Sequence, residues 1–217
     1  MSPSHSFRMA AMGPEHLGTV VEIYRRSFQG TFLASLGPAI LSLMFGAFLD
    51  GAPREISIVC LNSSDQAIGF VCGSGDRVLY VRNFLRKRIV TLLPLVVAAA
   101  ARDKRLAVEI IRRSRSLLVA LLPQPDASLG GLPPASLMTI AVADDSRGQG
   151  VGASLVVAFT DKLAQQGVPS VRLAVGKENR TARRLYERLG WSLSPAKLGS
   201  RHSAVCYYVK RLSAASS

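Results

Sequence analysis

The hydrophobic positions of this chain change period several times, and each change marks an element. Residues 6–12 form a short apolar run that predicts a first strand, after which Gly13-Pro14 opens a helix, proline being suited to a first helical position. Leu17, Val20, Val21, Tyr24 and Phe28 follow a 3.6-residue period and give one apolar stripe. A second helix starts at Gly37-Pro38, turns Ile40, Leu41, Met44, Phe45 and Phe48 inward, and stops at Asp50-Gly51. Two strand-like runs follow, Ile56 to Leu61 and Ala67 to Cys72. The turn chemistry of Asn62 to Gln66 between them predicts a hairpin.

Residues 76–134 break this rhythm. Apolar residues from Ile89 to Val97 and from Leu106 to Leu122 predict two helices, and the Pro- and Gly-rich stretch Pro123 to Pro134 predicts a flexible return. Alternation then resumes. Leu137 to Val142 predicts a strand, Gly148 to Gln166 a helix ended by Gly167, Val171 to Val175 a strand, and Thr181 to Leu189 a helix stopped by Gly190. Trp191 to Val209 predicts a closing strand or hairpin. The pattern predicts one α/β domain over residues 1–217, with a helical insertion at about 76–134.

Composition sharpens this picture. Of 217 residues, 48% are hydrophobic, enough for a core and against wholesale disorder. Met1 to Arg8 lacks the apolar stretch of a signal peptide, and the longest apolar run, Ile89 to Ala101, is too short to span a bilayer and contains Pro94. Cys60, Cys72 and Cys206 sit in apolar runs without metal-ligand spacing, which predicts buried, reduced thiols and a cytoplasmic protein. The formal charge is +13, and residues 76–134 hold +7 of it, with eleven Lys and Arg against four Asp and Glu. Such an excess implies an anionic partner.

The candidate chemistry begins at Ile140 to Leu155. A strand ends near Val142, a polar turn follows, and Gly148, Gly150 and Gly152 precede a helix with Val151, Leu155, Val156, Phe159 and Leu163 on its buried face. The first N–H groups of a helix have no internal partner and carry the positive end of the macrodipole, so the loop is fit to hold a pyrophosphate. Arg147 adds a cation. The pattern is not a P-loop, since no Gly-Lys-Ser/Thr follows, and its third glycine comes one residue too early for the dinucleotide fingerprint.

A second motif, Asn179 to Trp191, follows the strand Val171 to Val175. Asn179 is a good helix N-cap, Ala182, Leu185, Tyr186 and Leu189 share one face, and Gly190 ends the helix. Taken together the two motifs resemble the GNAT superfamily of N-acetyltransferases. Arg147-Gly148-Gln149-Gly150-Val151-Gly152 matches the family's Arg/Gln-x-x-Gly-x-Gly/Ala loop. Asn179, Ala182, Leu185, Tyr186, Gly190 and Trp191 match its Asn-x-x-Ala-x-x-Leu-Tyr-x-x-x-Gly-Phe/Trp helix.

The resemblance covers residues 136–191 firmly and residues 6–75 in outline. It implies a mixed, mostly antiparallel sheet splayed between its fourth and fifth strands, with flanking helices. It implies acetyl-CoA as co-substrate, no metal, and acetyl transfer to a primary amine of a small-molecule acceptor. The backbone of Ile140, Ala141 and Val142 is expected to bond the pantetheine arm. Arg147, Gly148, Gln149, Gly150, Val151, Gly152 and Ala153 are expected to hold the pyrophosphate. Asn179 and Ala182 are expected beside the pantetheine, and Tyr186 as general acid for the leaving thiolate. Lys177, Arg180, Arg183 and Arg184 lie beside the expected coenzyme site, either meeting the 3′-phosphate or forming exposed helix surface.

Many relatives carry a glutamate early on the fourth strand, and Ala135 to Thr139 has no carboxylate there. Ser136 or Thr139 ordering a water, and Glu55, remain candidates for the base function. A non-catalytic module that senses acyl-CoA is the alternative reading. For the basic insertion three readings stay open. Its helices pack on the sheet or on a second subunit, lie on an anionic membrane, or line the pocket of an anionic acceptor. Nucleic acid is disfavoured, because the segment has few aromatics for base stacking.

Overall fold

A computed structural model describes residues 6–51, 54–121, 135–194 and 204–212. Among the described residues seven strands form one sheet: β1 (Arg8–Ala11), β2 (Glu55–Leu61), β3 (Ala67–Ser74), β4 (Ala135–Val142), β5 (Ser170–Gly176), β6 (Ser192–Leu193) and β7 (Val205–Arg211). Their order is β1-β2-β3-β4-β5-β7-β6, and the one parallel pair is β4 with β5. The expected mixed, mostly antiparallel sheet is therefore what the chain builds.

The central strands are apolar on both faces because both faces are covered. Ile56, Cys60, Val71 and Leu137 turn toward one core with helices α6 (Val151–Gln165) and α7 (Arg180–Arg188). Val59, Leu61, Phe70 and Cys72 turn toward another, with α1 (Leu17–Ser27) and α3 (Pro38–Gly46). Burial pushes the Cys60 thiol up to about 11 and Cys72 further still, so neither is a thiolate at neutral pH. Cys206 is only half-buried, against the expectation for all three.

Gly73 lets α6 approach the sheet. A Cβ there would collide with the Phe159 ring and the Ser136 carbonyl. Gly73→Ala should therefore destabilise the fold by about 1–3 kcal/mol, the usual cost of overpacking. Urea unfolding measures this, and an unchanged midpoint would mean that the two elements separate freely.

The insertion joins β3 to β4, two strands that pair directly. It is a helical hairpin of α4 (Arg77–Arg102) and α5 (Lys104–Leu121), broken only at Asp103. Asp76 caps α4 by accepting from the Leu79 N–H, and Asp103 accepts from the N–H groups of Arg105 and Leu106. The first helix is much longer than the apolar run Ile89 to Val97 predicts, and it passes through Pro94. Proline removes one helical hydrogen bond, that to the Val90 carbonyl, and this part of the helix is exposed, where water can serve. Of the expected packing modes, the hairpin's inner face settles on helices. Ala99, Leu106, Leu92, Leu95, Val96 and Ile110 pack with Ile40 of α3, with Phe32 of α2 (Phe32–Ser35), a short helix that the periodicity did not predict, and with Leu36 just after it. Tyr80 stacks on Phe48 and donates to the Met44 carbonyl at 3.0 Å. The expected return at Pro123 to Pro134 lies outside the described residues, apart from which the remaining elements fall where the pattern predicts.

Candidate active site

β4 and β5 are paired at only two positions, Ala135 with Val171 and Ser136 with Arg172. Beyond these the strands part. A bulge explains why: on β3 Cys72 faces Thr139 and Gly73 faces Leu137, so Met138 is an extra residue on β4. Bulges bend the bulged strand and increase its twist. Past Met138, β4 leans away from β5 and one edge of its backbone opens into the cleft.

The direction of each peptide follows from one bond. Ala143 N–H donates to the Ile68 carbonyl of β3 at 2.9 Å. By the two-residue alternation of an antiparallel ladder, Ala141 is also engaged with β3, whereas Ile140 and Val142 turn their backbone groups to the cleft. The Val142 carbonyl accordingly accepts from Arg147 Nε at 3.3 Å. Of the three residues expected beside the pantetheine, Ile140 and Val142 are the ones whose backbone groups are not spent on β3.

At the end of β4, Asp144–Ser146 makes one tight 3₁₀ turn, and the chain reaches α6 through two residues in the left-handed region, Gly148 (φ 79°) and Gly150 (φ 83°). An added Cβ at either meets nothing within 4 Å, so both glycines are required by backbone conformation and not by crowding. Gly152 differs. It is helical, and its absent Cβ would lie 3.7 Å from both Leu185 of α7 and Val142 of β4. The three walls of the cleft thus meet at the first turn of α6.

The first helical bond of α6 runs from Ser154 N–H to the Gly150 carbonyl, leaving the N–H groups of Val151, Gly152 and Ala153 without a helical acceptor. Gln149 braces the loop by donating to the Asp145 carbonyl at 3.0 Å. Arg147, the cation of the loop, has partners of its own. Its guanidinium lies 2.7 Å from Asp144 and 3.4 Å from the Ser27 hydroxyl, folded back over the end of β4 toward α1.

On α7, Asn179 caps the helix by accepting from the Ala182 N–H at 3.1 Å. Ala182, Tyr186 and Leu189 turn to the α6 side of the sheet. Tyr186 is 5% exposed, with the Trp191 and Tyr208 rings 5.7 and 6.2 Å away. Among the described residues none hydrogen-bonds its hydroxyl. Burial raises its pKa to about 12, so the phenol is protonated throughout the neutral and mildly alkaline range. The Trp191 indole N–H beside it is buried and also lacks an acceptor among the described residues.

Of the cations flanking this helix, Arg183 is tied to the Tyr208 hydroxyl and the Lys177 carbonyl, while Tyr208 donates to Glu187. Arg180 and Arg184 border shallow surface hollows with Glu187. At the closed end of the cleft, Arg172 Nε donates to the Ser136 hydroxyl at 3.3 Å. Sequence reasoning named Ser136 but missed Arg172. The signal was a charge inside the apolar strand Ser170–Gly176, where alternation turns residue 172 to the face opposite Val171 and Leu173. Glu55 lies two strands from β4, opposite Ser74, and its pKa is raised by burial and by Asp50, with Lys87 acting the other way. Among the described residues no group of three or more His, Cys, Asp or Glu could hold a metal ion.

Comparison with known proteins agrees with this geometry. Residues 118–191 match the model of the acetyltransferase (GNAT) family, a span containing both motifs. SsHAT is similar over 95% of this chain and 98% of its own, with a TM-score of 0.63 and 23% identity. The GNAT-family N-acetyltransferase YhbS from Escherichia coli, solved in complex with CoA, has a TM-score of 0.57 and 18% identity, over 98% and 85%. The phosphinothricin acetyltransferase Pat from Sinorhizobium meliloti, in complex with AcCoA, has a TM-score of 0.58 and 14% identity, over 95% and 88%. No curated protein gives a significant match to the sequence. The chain has the GNAT acetyltransferase fold, and the resemblance read from its two motifs holds.

Proposed function

We propose that this chain is an N-acetyltransferase, moving an acetyl group from acetyl-CoA directly to a primary amine of a small-molecule acceptor. One observation carries the reading: β4 and β5 part beyond Ser136, beside the bare N–H groups that begin α6, and Tyr186 is buried in the core that packs on α6. Val151, Gly152 and Ala153 offer three amide donors to a pyrophosphate, at the positive end of the α6 macrodipole. Ile140 and Val142 offer backbone bonds to an extended amide-containing arm, as an added strand would make. Asn179 and Ala182 border that path.

Acetyl-CoA supplies an activated thioester, whose aminolysis forms an amide and releases a thiolate. Cleft-facing N–H groups of β4 stabilise charge growing on the thioester oxygen. The Tyr186 hydroxyl gives its proton to the departing sulfur, and the proton lost by the amine leaves through water to solvent. β4 carries no carboxylate, so Ser136 and Thr139 are the polar residues on that strand able to position such a water.

The acceptor is approached from the face opposite α6, where Ser136 and Arg172 meet. The strand's lack of a carboxylate favours one rival, a module that binds acyl-CoA without turnover. Acetyl-CoA consumption across a panel of small primary amines, with a basic protein as charge control, separates the two. At least one small amine should give turnover. Tight CoA binding with no turnover on any amine would establish the rival.

A further inference from the structure

The α4–α5 hairpin has an outer face that the fold does not use. On α4, Val90, Leu93 and Val97 lie one helical row apart and are 85%, 58% and 60% exposed. The break at Asp103 turns the chain back, and Val108 on α5, 66% exposed, stands about as far after the break as Val97 stands before it. Cations share these rows: Arg86 precedes Val90 by four residues, and Lys104 precedes Val108 by four. The opposite side of the same hairpin, not this one, contributes the packing on α2 and α3.

The cations fall into two groups. Lys87 and Arg88 are held by Asp50, and Arg112 and Arg113 by Glu109. Arg82, Arg86, Lys104 and Arg105 have no carboxylate partner among the described residues. The nearby acidic groups are occupied as well, since Asp76 and Asp103 cap the two helices. The outer face is thus apolar along its middle and uncompensated in charge along its length.

Three occupants are conceivable, and charge decides among them. Residues 122–134 hold a single charge, Asp126, and cannot neutralise the face. A second copy would set the same cations against one another. An anionic bilayer surface matches both properties, taking the branched side chains at its acyl boundary and the guanidinium and ammonium groups at its phosphates. Among the described residues no helix is long and apolar enough to cross a membrane, so the hairpin would lie in the interface.

We propose that the outer face of α4–α5 is a docking surface for anionic lipid membranes, independent of the coenzyme cleft. The test is co-sedimentation of the full chain with phosphatidylcholine vesicles, with and without about 30 mol% phosphatidylglycerol. Binding is expected to the anionic vesicles alone, and to fall at least about tenfold between about 0.1 and 0.5 M salt. Leu93→Asp with Val97→Asp should weaken it at least about tenfold, as should Arg86→Glu with Lys104→Glu. All these positions are exposed, so the thermal midpoint and CoA affinity should be unchanged, which shows that the variants are folded. Failure to sediment with anionic vesicles overturns the proposal. So does sedimentation that ignores the Leu93 and Val97 changes, which would indicate a general polyanion site. A concentration-dependent dimer abolished by those changes would assign the face to a second copy instead.

Discussion

Tyr186→Phe should lower kcat for acetyl transfer by about 100-fold or more, the lower end of what a positioned general acid contributes. CoA affinity should stay within about threefold, because the ring and its packing against Trp191 and Tyr208 are retained. The stability cost should also be small, within about 1 kcal/mol, since no described residue hydrogen-bonds the lost hydroxyl. The pH dependence gives an independent readout. Burial raises the phenol from 10.0 to about 12, so folding favours its neutral form. That contribution to stability is complete below the unfolded pKa near 10 and is lost as pH rises through about 12. The wild type should therefore show no alkaline loss of kcat attributable to Tyr186 up to about pH 10, because the acid is still protonated there. Steady-state kinetics with matched CoA titrations tests all of this. A phenylalanine variant with unchanged kcat would leave Tyr186 as a packing residue only.

What could be read in the sequence, and what could not, divides along a physical line. The cap at Asn179, the stripe Ala182–Leu185–Tyr186–Leu189 and the glycine-rich start of α6 are local features. Each depends on residues within a turn or two, and each is found where the pattern puts it. The bulge at Met138 is different in kind. It exists only in the pairing of β3 with β4, strands separated by 60 residues of intervening chain, and no periodicity in either strand reveals it. Which peptides of β4 face the cleft follows from that pairing, so Ala141 was grouped with Ile140 and Val142 before its ladder partner was known. The partners of Arg147 are hidden in the same way, because a bond to Asp144 and one to Ser27, 120 residues away, leave no shared local signature.

The two helices of the insertion were legible as helices but not in length. The apolar run Ile89 to Val97 marks only part of α4, whose ends at Arg77 and Arg102 carry charge instead, and the solvent exposure that lets water satisfy the Val90 carbonyl is not a property of the local sequence. The exposed apolar residues of that hairpin were invisible for the same reason: an apolar residue in a sequence reads as core until its neighbours are placed. Only the structure separates Leu92, Leu95 and Val96, which pack on α3 with Ala99, from Val90, Leu93 and Val97, which do not.

The same distinction between conformation and contact makes the phosphate loop testable. Gly150 is the N-cap of α6 with φ 83° and ψ −7°, a region that costs alanine about 1–2 kcal/mol. Relief of that strain would rotate the peptide leading into Val151 and misdirect the amides offered to the pyrophosphate. Gly150→Ala should therefore weaken CoA binding about tenfold, which corresponds to about 1.4 kcal/mol. Gly148→Ala with Gly150→Ala should weaken binding more than Gly150→Ala alone, since each glycine sits in the same region, and the two neighbouring strains should couple. Asparagine supplies the discriminating control. It carries a Cβ like alanine but tolerates the left-handed region, so Gly150→Asn should recover part of the lost affinity. Calorimetric titration with CoA, alongside thermal unfolding, separates the outcomes. If Asn and Ala weaken binding equally, a bound phosphate must approach closer than the backbone alone suggests, and crowding becomes the reason for glycine. If Ala binds as the wild type does, the first turn of α6 is not where the diphosphate sits.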